Sequence, residues 1–430
     1  MKKTLLSLAA SSLIVTSAMA ADKGIDIVTT GQAVVYYETG ADNGDSPDQT
    51  LFDQKSSAAN LGVQFDLEAD LKNNFTFGSQ LTYLGTMGLE KNLVSNTKQG
   101  GGVTTDSDAY DQILLTKIFV AKKIANTTIK IGRQEVPKSL SPFAYTESWN
   151  VFKNTFDAGV FLNTDIPDTM VVAGFVGGGN QSTNLQDLGN AAATGTLPSD
   201  PGVPLKINAN GIAYLITVKN SSIPMTAVTV SYYNLAEVND DETVQIYWGD
   251  VKVSDKSLPL GLKFGLQGGV LTPDASSLAD TSAFGIKAGM KPIDDLSLSL
   301  AYSTVDGDKN KGNAAIINVG GIKSPLYTQM VYNQDAIALD SDTVMVKGVY
   351  DTGDYGKVIA QYAYSATNKG SSMITRNDKD TDYGEFDLIY KVKAAGINYF
   401  AAYVNRSWSE ENANDQDMDN RIRVWARYNF

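Results

Sequence analysis

The stretch "ANLGVQFDLEADL", residues 59–71, alternates without a break: Leu61, Val63, Phe65, Leu67, Ala69 and Leu71 share one face, and Gly62, Gln64, Asp66, Glu68 and Asp70 share the other. A period of two is that of a β-strand. One face is apolar and the other charged, so the strand stands between two unlike environments. The same split returns in "LGLKFGLQG" (260–268), where Leu260, Leu262, Phe264 and Leu266 oppose Lys263, in "AFGIKAGM" (283–290) around Lys287, and in "LSLSLAYSTV" (296–305).

Connections of two sizes take turns between such segments. "KNN" at 72–74, "AN" at 125–126, "KPIDD" at 291–295 and "AAG" at 394–396 are turn chemistries. Stretches such as 87–111, 135–155, 179–207 and 306–340 are long. The alternation predicts about eighteen strands, with every short turn on one side of a barrier and every long loop on the other. Only a closed barrel leaves no unpaired backbone in lipid. The expected fold is therefore all-β: a transmembrane antiparallel up-and-down β-barrel with short periplasmic turns and long external loops. Tyr83, Tyr302, Tyr364 and Tyr403, near strand ends toward the long loops, suit an interfacial girdle. A soluble sandwich leaves the short-long alternation unexplained.

Residues 1–20, "MKKTLLSLAASSLIVTSAMA", read as a secretory signal peptide with an Ala-x-Ala cleavage site, leaving 21–430 as a single barrel domain. After it no run of 18 apolar residues offers a helical span. The formal charge is −13, so nucleic acid is not an expected partner. With no His and no Cys, the chain lacks the commonest general base, the Ser-His pair and the usual zinc ligands, and catalysis is not expected.

"IKIGRQEV" (129–136), "NTFDAGVFLNTDIPDTMVVAGFV" (154–176) and the aromatic terminal strand "RIRVWARYNF" (421–430) resemble the Campylobacter-type major outer membrane porins of the OprD-like superfamily. The resemblance implies eighteen strands, a homotrimer, and a constriction loop at 135–155 folded into the lumen. It also implies a water-filled channel for small hydrophilic solutes, with carboxylate specificity in some members and cation preference with pore calcium in others. The terminal Tyr428 and Phe430 resemble the signal read by barrel-insertion machinery.

Alternation places Asp66, Glu68, Asp70, Asp157, Glu385 and Asp387 among the inward acids. The inward bases are Lys117, Lys130, Lys263, Lys287, Lys347, Lys391, Arg421, Arg423 and Arg427. Arg133 shares parity with Ile129 and Ile131; a lipid-facing charge near midplane costs about 2–4 kcal/mol, so a bulge, strand end or loop position is expected. Glu135, Lys138, Glu147 and Lys153 give the constriction loop mixed charge, suited to a transverse field. Arg421, Arg423 and Arg427 form either a basic rail for anions or a structural network with acids such as Asp26 and Glu38 of the first strand. Asp378, Asp380 and Asp382 loosely imitate a calcium loop without its terminal Glu, and a solvated loop coat, or divalent bridging to lipopolysaccharide, explains them as well.

The first functional expectation is an outer-membrane porin, passively permeable to small hydrophilic solutes and leaning toward cations. The second is a channel selective for small carboxylates along the basic rail. The third is a surface adhesin or structural envelope protein.

Overall fold

The computed structural model describes residues 25–42, 50–86, 88–99, 112–180, 185, 212–236, 243–276, 278–308, 312–367, 380–410 and 417–430. The expected signal segment, Asp378 and most of the acidic stretches of the first, eighth and ninth long connections lie outside them.

Strands follow one another as β1 (Asp26–Asp42), β2 (Ser57–Lys72), β3 (Phe75–Gly85), β4 (Gln112–Ile124), β5 (Thr127–Gln134), β6 (Phe156–Asn163) and β7 (Thr169–Gly179). Next come β8 (Ala213–Asn220), β9 (Thr226–Leu235), β10 (Val244–Ser254), β11 (Lys263–Pro273), β12 (Leu278–Ala279), β13 (Thr281–Ile293) and β14 (Leu296–Asp306). The last are β15 (Gly312–Asn313), β16 (Ser341–Asp351), β17 (Lys357–Thr367), β18 (Thr381–Ala394), β19 (Ile397–Glu410) and β20 (Asp417–Asn429). Two-residue β12 and β15 pair with each other outside the wall; the other strands make one 18-stranded antiparallel sheet. It closes where β1 meets β20, from Gln32 opposite Asn429 to Asp42 opposite Asp419.

Eight connections on one rim alternate with nine on the other, and the longest, 86–111, 135–155, 180–212 and 307–340, all belong to the second rim as the sequence predicts. The sizes overlap at 255–262, which is longer than 411–416 on the opposite rim. Three successive short turns share one construction. In Ile166-Pro167-Asp168, Ile223-Pro224-Met225 and Leu258-Pro259-Leu260 the proline fixes the first central φ, and the next residue takes a φ of 55°, 61° or 54°. Backbone bonds of 3.1, 3.0 and 2.9 Å, from Thr169 to Ile166, Thr226 to Ile223 and Gly261 to Leu258, close these type II turns.

Outward side chains are apolar and open to the barrel's surroundings: Leu266, Ile286, Leu300, Val346, Leu388 and Val424 are each more than a third exposed. Tyr302 donates 2.6 Å to Asp342 and Tyr403 2.7 Å to Asn420, so rings near the long-loop rim carry polar tips.

The inner face departs from the uniformly wet lining that alternation suggests. Val172, Val176, Leu215, Tyr233, Ile246, Trp248 and Leu271 point inward and are buried. What covers them is the chain itself: 135–155 and 314–340 fold into the barrel and place Val136, Phe143, Ala144, Ile316, Val319, Leu326 and Ile337 against that wall. Burying a side chain such as Phe143 or Ile316 contributes about 1.5–3 kcal/mol. A second contact seats Val151 and Phe152 on Val34 and Tyr36 of β1 and Leu84 of β3, beside the closure.

Candidate functional site

The two inserted loops are joined by Glu147. Its Oε1 accepts from Asn318 Nδ2 at 2.8 Å and from the amides of Ile322 and Lys323 at 3.0 and 2.8 Å, while Trp149 Nε1 donates to Oε2 at 2.6 Å. Gly321 makes this approach possible, because a Cβ there would lie 2.1 Å from Oε1. Glu147 is 4% exposed; against expectation it does not face the lumen. Lys323 donates to the Val331 carbonyl and, at 3.1 Å, to Gln334 Oε1. Burial pushes its ammonium down to about 8, against the pull of Glu147.

Arginines fasten the joined loops to the closing strands. Arg423 Nε donates 2.7 Å to Glu38 Oε2, its NH1 donates 3.0 Å to the Trp149 carbonyl, and its NH2 bonds the Tyr332 hydroxyl. Arg427 reaches Gln32 Oε1 at 2.9 Å and the Val151 carbonyl at 2.8 Å. Arg421 Nε donates 2.8 Å to Asp419, which also holds Arg406. Lys98 completes the belt at 2.7 Å from Glu38 Oε1. The guanidinium carbons of Arg406, Arg421 and Arg423 stand 5.2, 5.2 and 5.1 Å from the Tyr332 ring centre. Of the two readings of the arginine row, this geometry is the structural network.

Glu385 and Asp387, expected in the pore, are fully buried and hold the same loop. Glu385 accepts the Tyr332 amide at 2.8 Å and Asp387 the Val331 amide at 3.3 Å.

On the β2–β5 side the charges do meet water. Lys117 lies 2.6 Å from Glu135 and 3.4 Å from Asp66, and Lys153 lies 2.7 Å from Glu135. A bulge between Gln80 and Leu81 turns Lys117 inward. Lys130 covers the Phe119 ring at 3.7 Å, and Glu68 and Asp70 are exposed. Lys138, at the inserted-loop surface, is exposed and points toward the Ser324 and Pro325 carbonyls at 3.4 and 3.3 Å.

Arg133 and Asp157 require a correction. Arg133 sits opposite Ile118 and opposite Asp157 in regular register, and Ile118 and Ile131 are outward and exposed, so the pair faces out of the barrel. It is bidentate, at 2.7 Å for both bonds, and lies at the strand end. Gly132, with φ +121°, allows the strand to pass within 2.2 Å, measured from a would-be Cβ, of the Ile118 carbonyl.

The loops leave a recess of about 390 Å³ in the β10–β16 wall. Register gives it two rows. Lys252 and Lys287 flank Gly265 in one; Lys263 and Lys347 flank Gly289 and Ser299 in the other. Tyr327 of the inserted loop lies over Gly265 and donates 2.6 Å to Asp250, itself 2.9 Å from Lys252. Lys263, Lys287 and Lys347 have no carboxylate partner among the described residues. Alternation found three of these lysines but missed Lys252, because the inward Ile246 and Trp248 above it hide the parity of β10. Tyr327 and Tyr332 carried no sequence signal at all.

Asp380 immediately precedes β18 and Asp382 is its second residue, while Asp378 lies outside the described residues; among the described residues no cluster of three acidic ligands forms.

No family model matches the chain, and no curated protein is significantly similar to it in sequence. Solved structures are similar in fold. Pseudomonas aeruginosa OccK8 (OprE) superposes with a TM-score of 0.69 at 13% identity, over 94% of this chain and 98% of that one. Acinetobacter baumannii OccAB3 gives 0.66 at 14% identity, over 94% and 99%. P. aeruginosa OccK2 (OpdF), solved in complex with glucuronate, gives 0.64 at 13% identity, over 94% and 98%. These neighbours are OprD/Occ porins, channels rather than enzymes, and the closed eighteen-stranded architecture is common to them and this chain.

Proposed function

We propose that the chain is an outer-membrane channel through which small hydrophilic solutes and ions move passively. The observation that carries this reading is the closed barrel with an apolar outer face and a charged inner face narrowed by its own loops. Export by residues 1–20, insertion through the terminal Phe430, contact with lipid and lipopolysaccharide, and assembly as a homotrimer belong to the same proposal. Phe430 exchanges backbone bonds of 2.9 and 2.8 Å with Gly31, which suits a residue that seals the seam.

The acidic net charge leans the mouths toward cations. The lumen itself supports anion preference, though not along the arginine rail of the carboxylate reading: each described arginine has a partner, whereas Lys263, Lys287 and Lys347 have no carboxylate partner among the described residues. Planar-bilayer recordings test both. Large ohmic currents support the channel, and none from folded protein refutes it; in a salt gradient, the sign of the reversal potential separates anion from cation preference.

A further inference from the structure

The lysine recess differs in kind from the arginine belt, and the difference bears on what it holds. Every described arginine is fixed: Arg133 by Asp157, Arg406 and Arg421 by Asp419, Arg423 by Glu38, and Arg427 by Gln32 and Val151. The planar fork that matches a carboxylate in two bonds is thus withdrawn from the permeant solute. What remains are ammonium groups, compact point charges with three donors each, which gain from charge density in the ligand rather than from its planarity.

Their arrangement concentrates that charge. Neighbouring strands are about 4.8 Å apart, so Lys252 and Lys287 rise about 10 Å from each other across Gly265, and Lys263 and Lys347 about 14 Å apart across Gly289 and Ser299. Lys287 stands within electrostatic reach of Lys252 and Lys263, and Lys347 within reach of Lys287, of Lys391 and of Asp387, whose carboxylate is already taken by Gln361 and the Val331 amide. Glycine and serine make the floor low between them, Tyr327 roofs one side, and the hydroxyls of Ser297 and Ser299 add donors. Among the described residues, the only carboxylate bonded to this group is Asp250, already shared between Lys252 and Tyr327. Four like charges flanking a low-dielectric wall attract a multivalent anion far more than a monovalent one.

We propose that the recess framed by Lys252, Lys263, Lys287 and Lys347 is a binding station for phosphate: inorganic phosphate or the phosphoryl group of a small monoester. Such a group carries close to two negative charges at neutral pH and oxygens in several directions, which four converging ammonium groups can meet at once. The station rests on the channel reading and names a solute class for it. A bound phosphate would sit beneath Tyr327, so the inserted loop forms one wall of the station.

The test uses the full chain, folded in detergent and reconstituted in planar bilayers, with chloride current read at about pH 7.5 while inorganic phosphate or acetate is added. Phosphate is expected to block with saturation, half-effective at roughly 1 mM, and acetate only at concentrations at least about tenfold higher. Replacing Lys287→Gln together with Lys347→Gln is expected to raise the half-effective phosphate concentration at least about tenfold, and Lys287→Arg with Lys347→Arg to restore most of it. Non-saturating phosphate, equal potency of acetate, or a Gln double variant that titrates like the parent overturns the station and leaves the channel standing. If folded protein passes no current at all, the channel reading falls instead. Calorimetric titration of phosphate onto the solubilised protein then decides the station: saturable binding lost in the Gln double variant upholds it, and no binding overturns it.

Discussion

Arg423, on the last strand, and Glu38, on the first, meet at 2.7 Å across the seam of the barrel, and both side chains are nearly sealed from water. The pair closes the wall and, through Trp149 and Tyr332, anchors both inserted loops.

Because the pair is buried, removing one partner leaves an uncompensated charge. Arg423→Ala is expected to destabilise the folded barrel by about 3–5 kcal/mol and to make the open channel noisier. Glu38→Leu combined with Arg423→Met should recover much of the stability. Urea unfolding in lipid vesicles reads the first effect and single-channel noise the second; an Arg423→Ala barrel as stable as the parent would restore the idea of a permeation rail.

Gly321→Ala tests the joint between the loops. The added methyl cannot coexist with Glu147 Oε1 where it stands, so the carboxylate must leave some of its four donors, at about 1–3 kcal/mol for each left buried and unpaired. The expected outcome is a loosened insert: higher single-channel conductance, with the barrel's own heat-modifiable band on gels unchanged. Unchanged conductance would show that the joint does not narrow the pore.

Lys323 gives the insert a pH dependence with a definite sign. Its ammonium is held down to about 8 by burial, against 10.5 when free, so between those values the unfolded chain binds more protons than the folded one. Stability therefore rises with pH across that window, by up to on the order of 3 kcal/mol, as the buried charge is discharged. Protease protection of the loops should increase from pH 8 toward 10.5 in the parent and by distinctly less in Lys323→Met, where Lys138, likewise held down to about 8 by desolvation, is left to titrate.

Arg133 and Asp157 neutralise each other on the outer face. Arg133→Ala leaves Asp157 alone there and should cost roughly 1–3 kcal/mol of folding stability, while Asp157→Asn added to it should return most of the loss. A double-mutant cycle in vesicle refolding measures the coupling, and additivity of the two single changes would refute it.

The sequence had no means of revealing most of the pairings behind these outcomes. Parity in β2, β13 and β20 already separated water-facing from outward residues, since alternation is local. It set Arg421, Arg423 and Arg427 inward and offered Glu38 as a partner, yet Trp149 and Tyr332 lie 274 and 91 residues from Arg423, on loops with no period. Glu147 looked like a lumen charge because nothing in "PFAYTESWNVF" announces that Asn318 and Lys323 will surround it.

By itself, then, the sequence determined the barrel: strand number, alternation of turns and loops, the outward face and the seam follow from a two-residue period and from the requirement that every backbone group in a lipid-facing wall be paired. Tertiary structure decided what the lumen is. Which inward charges remain free depends on where 135–155 and 314–340 come to rest, and their apolar side chains settle against β6–β14 through non-directional burial that leaves no mark in sequence spacing. Loop carbonyls at Trp149 and Val151 took up Arg423 and Arg427, and the recess left beside the loops kept the lysines of β11, β13 and β16 open.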